Sequence, residues 1–91
     1  MKKELMDILA CPMDKHYPLN LIIFKETSEI SEGLIFCSKC LRWYPIREEI
    51  PELLPDKLRK EIEDIPFSRK WRKEIPENIL LDGKPFNLKS A

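Results

Sequence analysis

The pair Cys37-x-x-Cys40 constrains this chain more than any other feature, because it has the spacing of a metal-binding knuckle. A tetrahedral site needs a second pair of ligands from elsewhere in the chain. Cys11 is the obvious third ligand. The fourth is either Asp14, which repeats the knuckle spacing, or His16, which is chemically the better ligand. Zinc accepts thiolate, imidazole and carboxylate, so the sequence leaves both alternatives open.

Other uses of the cysteines are also open. Small buried thiols are ordinary core residues, and a knuckle can fold around them without metal. A redox pair lacks a thioredoxin-like βαβ pattern here, and a catalytic Cys–His pair lacks an orienting third group. Three cysteines are an odd number, which suits a reducing compartment better than a disulfide scaffold.

Length and charge limit the classes of protein that need to be considered. A chain of 91 residues is one domain, and it buries only roughly 60% of its unfolded surface, so a metal or partner would help it. No apolar run reaches the roughly 20 residues of a membrane helix. Glu4 and Asp7 interrupt the N-terminal apolar stretch, which argues against a secretion signal. We therefore expect a cytoplasmic protein with no membrane contact.

The charges cancel, with 16 Lys and Arg against 16 Asp and Glu, and this balance argues against a nucleic-acid binder. The run Arg69-Lys70-Trp71-Arg72-Lys73 is the exception and supports the alternative of a small zinc-ribbon-like RNA-binding protein. The interpretation that we favour places Trp71 inward with Phe67 and Ile75. The basic residues then pair with nearby acids.

Apolar periodicity and turn residues predict the order of elements along the chain. A helix covers Lys2–Leu9, and strands cover Leu19–Lys25, Leu34–Phe36 and Leu41–Ile46, with a loop at Glu26–Gly33. A helix with Leu58, Ile62 and Ile65 on one face ends at Pro66, and a helix capped by Ser68 ends at Pro76. A hairpin follows, with Asp82-Gly83 as the turn between Ile79–Leu81 and Lys84–Leu88.

The predicted fold class is α+β: a small zinc-ribbon-like antiparallel sheet with an N-terminal helix and a C-terminal helical extension. Residues 1–55 form the ribbon domain. Residues 56–91 form the extension, which ends in the hairpin and packs on the same domain.

The strand Leu41–Ile46 is predicted to lie at a sheet edge, because Pro45 lacks an N–H for the ladder. A partner strand can then add to it, or a second copy of this chain when the partner is absent. The residues that we predict to bind a partner are large and apolar for the most part: Trp43, Tyr44, Pro45, Ile46, Ile50, Leu53 and Leu54. For any single one of them, packing in a small core explains the residue equally well.

Four short segments occur in an order that resembles a known family: ILACP at Ile8–Pro12, the Cys37–Cys40 pair, RWYPI at Arg42–Ile46 and IPELL at Ile50–Leu54. Over its first 55 residues the chain resembles the small zinc-ribbon activator subunits of methyltransferases. These include the tRNA methyltransferase activator subunit of eukaryotes and archaea.

The resemblance implies a non-catalytic subunit that forms a heterodimer with a Rossmann-like (class I) methyltransferase. The partner binds S-adenosylmethionine and modifies tRNA or a translation release factor. An indirect contact of this chain with tRNA stays open, as does contact of the basic run at residues 69–73 with substrate RNA within the heterodimer. The family often has Cys where Asp14 stands here, and Asp-Gly where Glu48-Glu49 stands. Because Glu tolerates positive φ poorly, this turn must differ or Glu49 must be strained.

Overall fold

The computed structural model describes residues 1–89, and its centre is a four-stranded antiparallel sheet. The strands lie side by side in chain order as β1 (Asn20–Glu26), β2 (Ile30–Phe36), β3 (Trp43–Arg47) and β4 (Ile50–Pro51). The helices are two 3-10 helices (Lys3–Asp7 and Asp56–Leu58), α1 (Glu61–Lys70) and α2 (Glu77–Asp82). The predicted α+β class is confirmed.

The register of the strands sorts their apolar residues onto two faces. Leu21, Ile35 and Tyr44 lie opposite one another on β1, β2 and β3, and therefore share one face. Ile22 and Leu34 are next in sequence and lie on the other face. Both faces are covered, which is why β3 is buried over nearly all of its length and reads as a continuous apolar run.

The first core lies between one face of the sheet and the N-terminal segment. Its buried members are Met1, Cys11, Leu19, Ile30, Ile35, Cys37, Tyr44 and Ile46, and Met6, Leu9, Leu21, Cys40 and Leu53 pack against them. The predicted helix over Lys2–Leu9 is shorter, a 3-10 helix of five residues, and Ile8 is 76% exposed just beyond it.

The second core lies between the opposite face and the C-terminal helices. Its buried members are Leu34, Trp43, Phe67, Ile75 and Ile79, and Ile22, Phe24, Phe36, Leu41, Trp71, Leu80 and Phe86 pack against them. The indole N–H of Trp43 donates to the Phe86 carbonyl oxygen at 2.8 Å. The ring of Trp71 stacks on Phe24, with centroids 4.8 Å apart. The predicted inward placement of Trp71 is confirmed.

β3 is not an edge strand, and the prediction made from Pro45 is wrong. β4 pairs with the end of β3, the Glu52 amide donates to the Pro45 carbonyl at 2.9 Å, and the Trp43 amide donates to the Lys84 carbonyl at 3.1 Å. Because the N–H and C=O of one strand residue point to the same side, Pro45 directs both away from β2. The missing donor therefore removes no bond from the β2–β3 ladder.

Pro66 does not end a helix, because α1 continues through it. Its missing N–H would have bonded to the carbonyl of Ile62, and Ile62 is 84% exposed, so water can reach that turn. Of the predicted stripe of Leu58, Ile62 and Ile65, only Ile65 is buried. Ser68 lies inside α1 and donates to the Ile65 carbonyl, so it is not a cap. Within residues 1–89 no helix has the length and apolar character needed to span a bilayer.

The predicted C-terminal hairpin is wrong, because a helix occupies the position of its first strand. Ile79 is buried from α2 into the second core. Asp82-Gly83 ends this helix, and the Gly83 amide donates to the Ile79 carbonyl at 3.0 Å. Glycine is required by close packing, since a Cβ at Gly83 would lie 2.8 Å from a side-chain carbon of Trp43.

The two-residue turn between β3 and β4 is strained. Glu48 and Glu49 both have left-handed backbones, with φ of 49° and 69°. Turns of this kind favour Asn-Gly, and a residue with a Cβ costs about 1–2 kcal/mol in this conformation. The Glu49 amide donates to the Ser31 carbonyl at 3.1 Å, which helps to hold the turn in place. The strain expected at Glu49 is confirmed, and Glu48 shares it.

Candidate metal centre

The first cysteine loop runs from Cys11 to His16 and precedes the sheet. The amide of Lys15 donates to the Cys11 carbonyl at 2.8 Å, and the amide of Cys11 donates to the His16 carbonyl at 3.0 Å. Lys15 is left-handed, with φ of 63°. These bonds close the loop and direct its side chains toward the sheet.

The second cysteine loop connects β2 to β3 and repeats the first bond for bond. The amide of Leu41 donates to the Cys37 carbonyl at 2.9 Å, and the amide of Cys37 donates to the Arg42 carbonyl at 2.8 Å. Leu41 is also left-handed, with φ of 63°. The chain therefore builds the same knuckle twice.

The repeat favours Asp14 over His16 as the fourth ligand. Asp14 and Cys40 each stand three residues after the first cysteine of their knuckle, so they are equivalent positions. His16 is equivalent to Arg42, whose carbonyl closes its loop. The imidazole of His16 is not part of the ligand cluster, which consists of Cys11, Asp14, Cys37 and Cys40.

The four ligand atoms lie close enough together to surround one metal ion. All of them lie within 4.8 Å of one another. The Sγ atoms of Cys11 and Cys40 are 3.7 Å apart, and Cys37 Sγ lies 3.6 Å from the nearer Asp14 carboxylate oxygen. Four ligands at about 2.3 Å from zinc would be separated by about 3.8 Å along each edge. These residues can therefore hold a metal ion.

The protonation states of the site set its response to pH. The His16 amide donates to the Asp14 carboxylate at 2.9 Å, which holds the pKa of Asp14 well below its usual value. Burial raises the pKa of the Cys37 thiol to about 11. Asp14 is ionised at neutral pH while Cys37 keeps its proton, so a metal must displace that proton as it binds.

Two residues outside the cluster support it. The Tyr44 hydroxyl lies 3.2 Å from Cys11 Sγ, and burial raises the pKa of Tyr44 far above its usual value, so the hydroxyl keeps its proton. The pKa of Arg42 is raised above its usual value, first by Asp56, whose carboxylate oxygens accept from it at 2.8 and 2.9 Å, and then by the nearby Cys40. Such outer partners orient ligands. Sequence reasoning missed this role, although Arg42 and Tyr44 alternate on the strand that leaves the knuckle.

The residues predicted to bind a partner separate into a buried and an exposed group. Those of β3 are at most 2% exposed: Trp43, Tyr44, Pro45 and Ile46. They fill the core, because β4 and both cores enclose their strand, and they offer no surface to a partner in this conformation. Ile50 and Leu54 are 63% and 38% exposed, and Leu53 packs against the first core.

Two knuckles that meet over a small antiparallel sheet define a zinc-ribbon-like protein. Residues 2–49 match the family of Trm112p-like proteins, and the chain belongs to that family. It is 35% identical over 60 residues to a UPF0434 protein of Nitrosococcus oceani, which covers 66% of this chain and 88% of the relative.

The fold is also similar to a chain of a solved complex, in which the Haloferax volcanii Trm112 methyltransferase activator is bound to a protein assigned as a methyltransferase. The TM-score is 0.60 and the identity 40%, over 65% of this chain and 100% of that chain. The resemblance noted from the sequence is confirmed.

Proposed function

We propose that this chain is a non-catalytic activator subunit that binds an S-adenosylmethionine-dependent methyltransferase and stabilises it. The observation that carries the proposal is the similarity to the Haloferax volcanii methyltransferase activator, at 40% identity over the whole of that chain. The methyl donor and the chemistry belong to the partner chain, whose substrate is tRNA or a translation release factor. The complex is cytoplasmic.

The exposed apolar side chains after the strained turn are the proposed contact with the partner. Ile50 is 63% and Leu54 38% exposed, whereas Leu53 between them is anchored in the first core. Exposed apolar groups on an anchored backbone bind with little loss of conformational entropy. The contact proposed from the sequence is therefore reduced to Ile50 and Leu54, with Leu53 as their support.

Zinc is the metal proposed for the four-residue cluster. Three thiols and a carboxylate form a donor set that zinc accepts, in the closed arrangement of structural sites. Bound there, zinc supplies a cross-link rather than a catalytic centre. Cys11 and Asp14 would be fixed to Cys37 and Cys40, which holds the N-terminal segment on the sheet. Ile50 lies in the last strand of that sheet, and Leu54 follows it.

Affinity purification of the full chain from its host of origin, with mass spectrometry of bound proteins, tests the proposal. We expect a methyltransferase at a 1:1 ratio. Ile50→Asp combined with Leu54→Asp should abolish its recovery, because charges replace the apolar contact. The control is Leu81→Asp, which alters an apolar residue on α2 that is as exposed as Leu54, and it should retain the partner. Recovery of no methyltransferase with the unaltered chain would overturn the proposal.

A further inference from the structure

Three exposed cations lie together where α1 ends. Arg69 is in the last turn of α1, and Arg72 and Lys73 are in the turn that follows. Within residues 1–89 none of the three side chains forms an ion pair or a hydrogen bond. The sequence predicted that these residues pair with nearby acids. That prediction is wrong except for Lys70, whose ammonium lies 3.4 Å from Glu32.

The acids of this region lie at the opposite end of α1. Its first turn carries Glu61, Glu63 and Asp64. Glu74 is the one acid in residues 69–74 and is outnumbered by the unpaired cations. A chain with no net charge therefore presents a local positive surface, which we call the basic turn and define as Arg69, Arg72 and Lys73.

Helix stability does not explain the basic turn. A cation in the last turn of a helix gains about 0.3–1 kcal/mol from the macrodipole, and the effect decays beyond that turn. Arg69 and Lys70 already occupy the last turn of α1. Arg72 and Lys73 follow the Trp71 C-cap, so the macrodipole does not account for them.

We propose that the basic turn docks on the phosphate backbone of a structured RNA such as tRNA. The proposal rests on the proposed function and narrows it, since the substrate of the bound methyltransferase is then RNA and not a protein. Trp71 is the aromatic residue between the cations, but its ring is stacked on Phe24 and packed on the second core. Base stacking is therefore unavailable, and recognition is through charge, without sequence preference.

An anionic membrane fits the basic turn less well. Helices that bind bilayer surfaces place exposed apolar side chains beside their cations, to enter the acyl region. In residues 69–73 the one apolar side chain is Trp71, which packs inward. Binding to a phosphate backbone requires cationic side chains and no exposed apolar ones.

Fluorescence anisotropy of a labelled tRNA transcript titrated with the full chain, at 50 and 200 mM salt, tests this docking. The variant combines Arg69→Glu, Arg72→Glu and Lys73→Glu. We expect its affinity at the lower salt to fall by at least about tenfold, and the slope of log K against log salt to decrease by about 2 to 3, one step of roughly 0.7–0.9 per lost phosphate contact.

The matched control, Lys2→Glu with Lys57→Glu and Lys60→Glu, makes the same change in net charge at exposed sites before or at the start of α1. It should keep the wild-type slope. Equal losses in both variants, no binding by the unaltered chain, or a preference for phosphatidylserine vesicles would overturn the proposal. Both variants should unfold at the wild-type temperature and still recover the methyltransferase. Loss of RNA binding with the partner retained separates this docking from the proposed function.

Discussion

The two faces of the sheet are closed by different chemistry. On one face, two loops with little regular structure meet through four ligand atoms within 4.8 Å of one another. On the other, two helices pack aromatic and branched side chains over β2 and β3. A buried ion pair reinforces that second face, because Arg59 lies 2.7 Å from Asp64 and the two side chains are 2% and 5% exposed.

The two faces of the sheet are stabilised by different parts of the chain. The family match ends at residue 49, before α1 begins, so the helical cover of the second face lies outside the matched region. The first face adds to its apolar core a cluster of polar atoms that could hold a metal ion. The second face is closed by buried apolar area and one buried ion pair. Removing one contribution at a time separates the two.

The largest loss is expected from Trp43→Ala, which empties the centre of the second core. Trp43 is 2% exposed, and truncation of such a ring costs about 3–5 kcal/mol. Urea unfolding should show that loss while zinc content, measured by elemental analysis, stays unchanged. Ile62→Ala, at a residue 84% exposed, is the control and should change stability by less than about 0.5 kcal/mol. Loss of the metal from Trp43→Ala would mean that the two faces are coupled.

Removal of the metal is expected to have the next largest effect, confined to the first face. Zinc in hundredfold excess over its dissociation constant adds about 2.7 kcal/mol to the free energy of unfolding, which a chelator should abolish. Cys37→Ser should bind less zinc and be insensitive to the chelator. Ser38→Ala, which changes the neighbouring exposed residue, should behave as wild type. Identical urea midpoints for the unaltered chain with and without chelator would contradict a structural metal.

A gain is expected from relieving the strained turn. Glu48→Asn with Glu49→Gly supplies the residues that left-handed positions favour and should stabilise the chain by about 1–2 kcal/mol. Thermal unfolding measures the gain. Ser28→Gly is the control, because that residue is not left-handed, so the change relieves no strain and only raises the entropy of the unfolded chain, which should destabilise it slightly. If the double variant gains no more than the control, the strain is released elsewhere.

The smallest effect is expected at the ion pair between Arg42, which follows the second cysteine loop, and Asp56, which begins the second 3-10 helix. This contact lowers the pKa of Asp56 below its ordinary 3.8, so the ion pair stabilises the fold above that pH and loses its contribution as the pH falls below it. The stability difference between the unaltered chain and Asp56→Asn should therefore be smaller at pH 3 than at pH 6. Urea midpoints at the two pH values measure it. If this stability difference is instead larger at pH 3 than at pH 6, the ionised Asp56 carboxylate does not stabilise the fold.

Local patterns predicted the ribbon well and the extension poorly. β1 and β3 were readable because alternation and branched residues act over neighbours. β2 begins at Ile30, earlier than predicted. Pairing with β1 places Ser31 and Glu32 in the strand, although their polar side chains favour a loop in the sequence. Pairing that is distant in sequence leaves no local signal.

The prediction of a hairpin in the C-terminal extension was wrong for a related reason, because contacts distant in sequence decided the structure there. Asp82-Gly83 is a favoured hairpin turn, but the fit of Ile79 and Gly83 against Trp43 selected a helix. The identity of the fourth ligand was likewise undecidable from spacing and chemistry alone. The bond-for-bond equivalence of the two knuckles, which is a property of the folded backbone, favours Asp14.

The Trp43 amide donates a hydrogen bond to the Lys84 carbonyl, so its hydrogen exchange reports whether the C-terminal segment is in place. It lies in the middle of the chain, yet it can exchange its hydrogen with solvent only when the C-terminal segment lifts away. The Cys37 amide, bonded inside its own knuckle, exchanges only when that loop opens. The exchange rates of these two amides, only six residues apart, therefore report two separate opening motions, one at each face of the sheet.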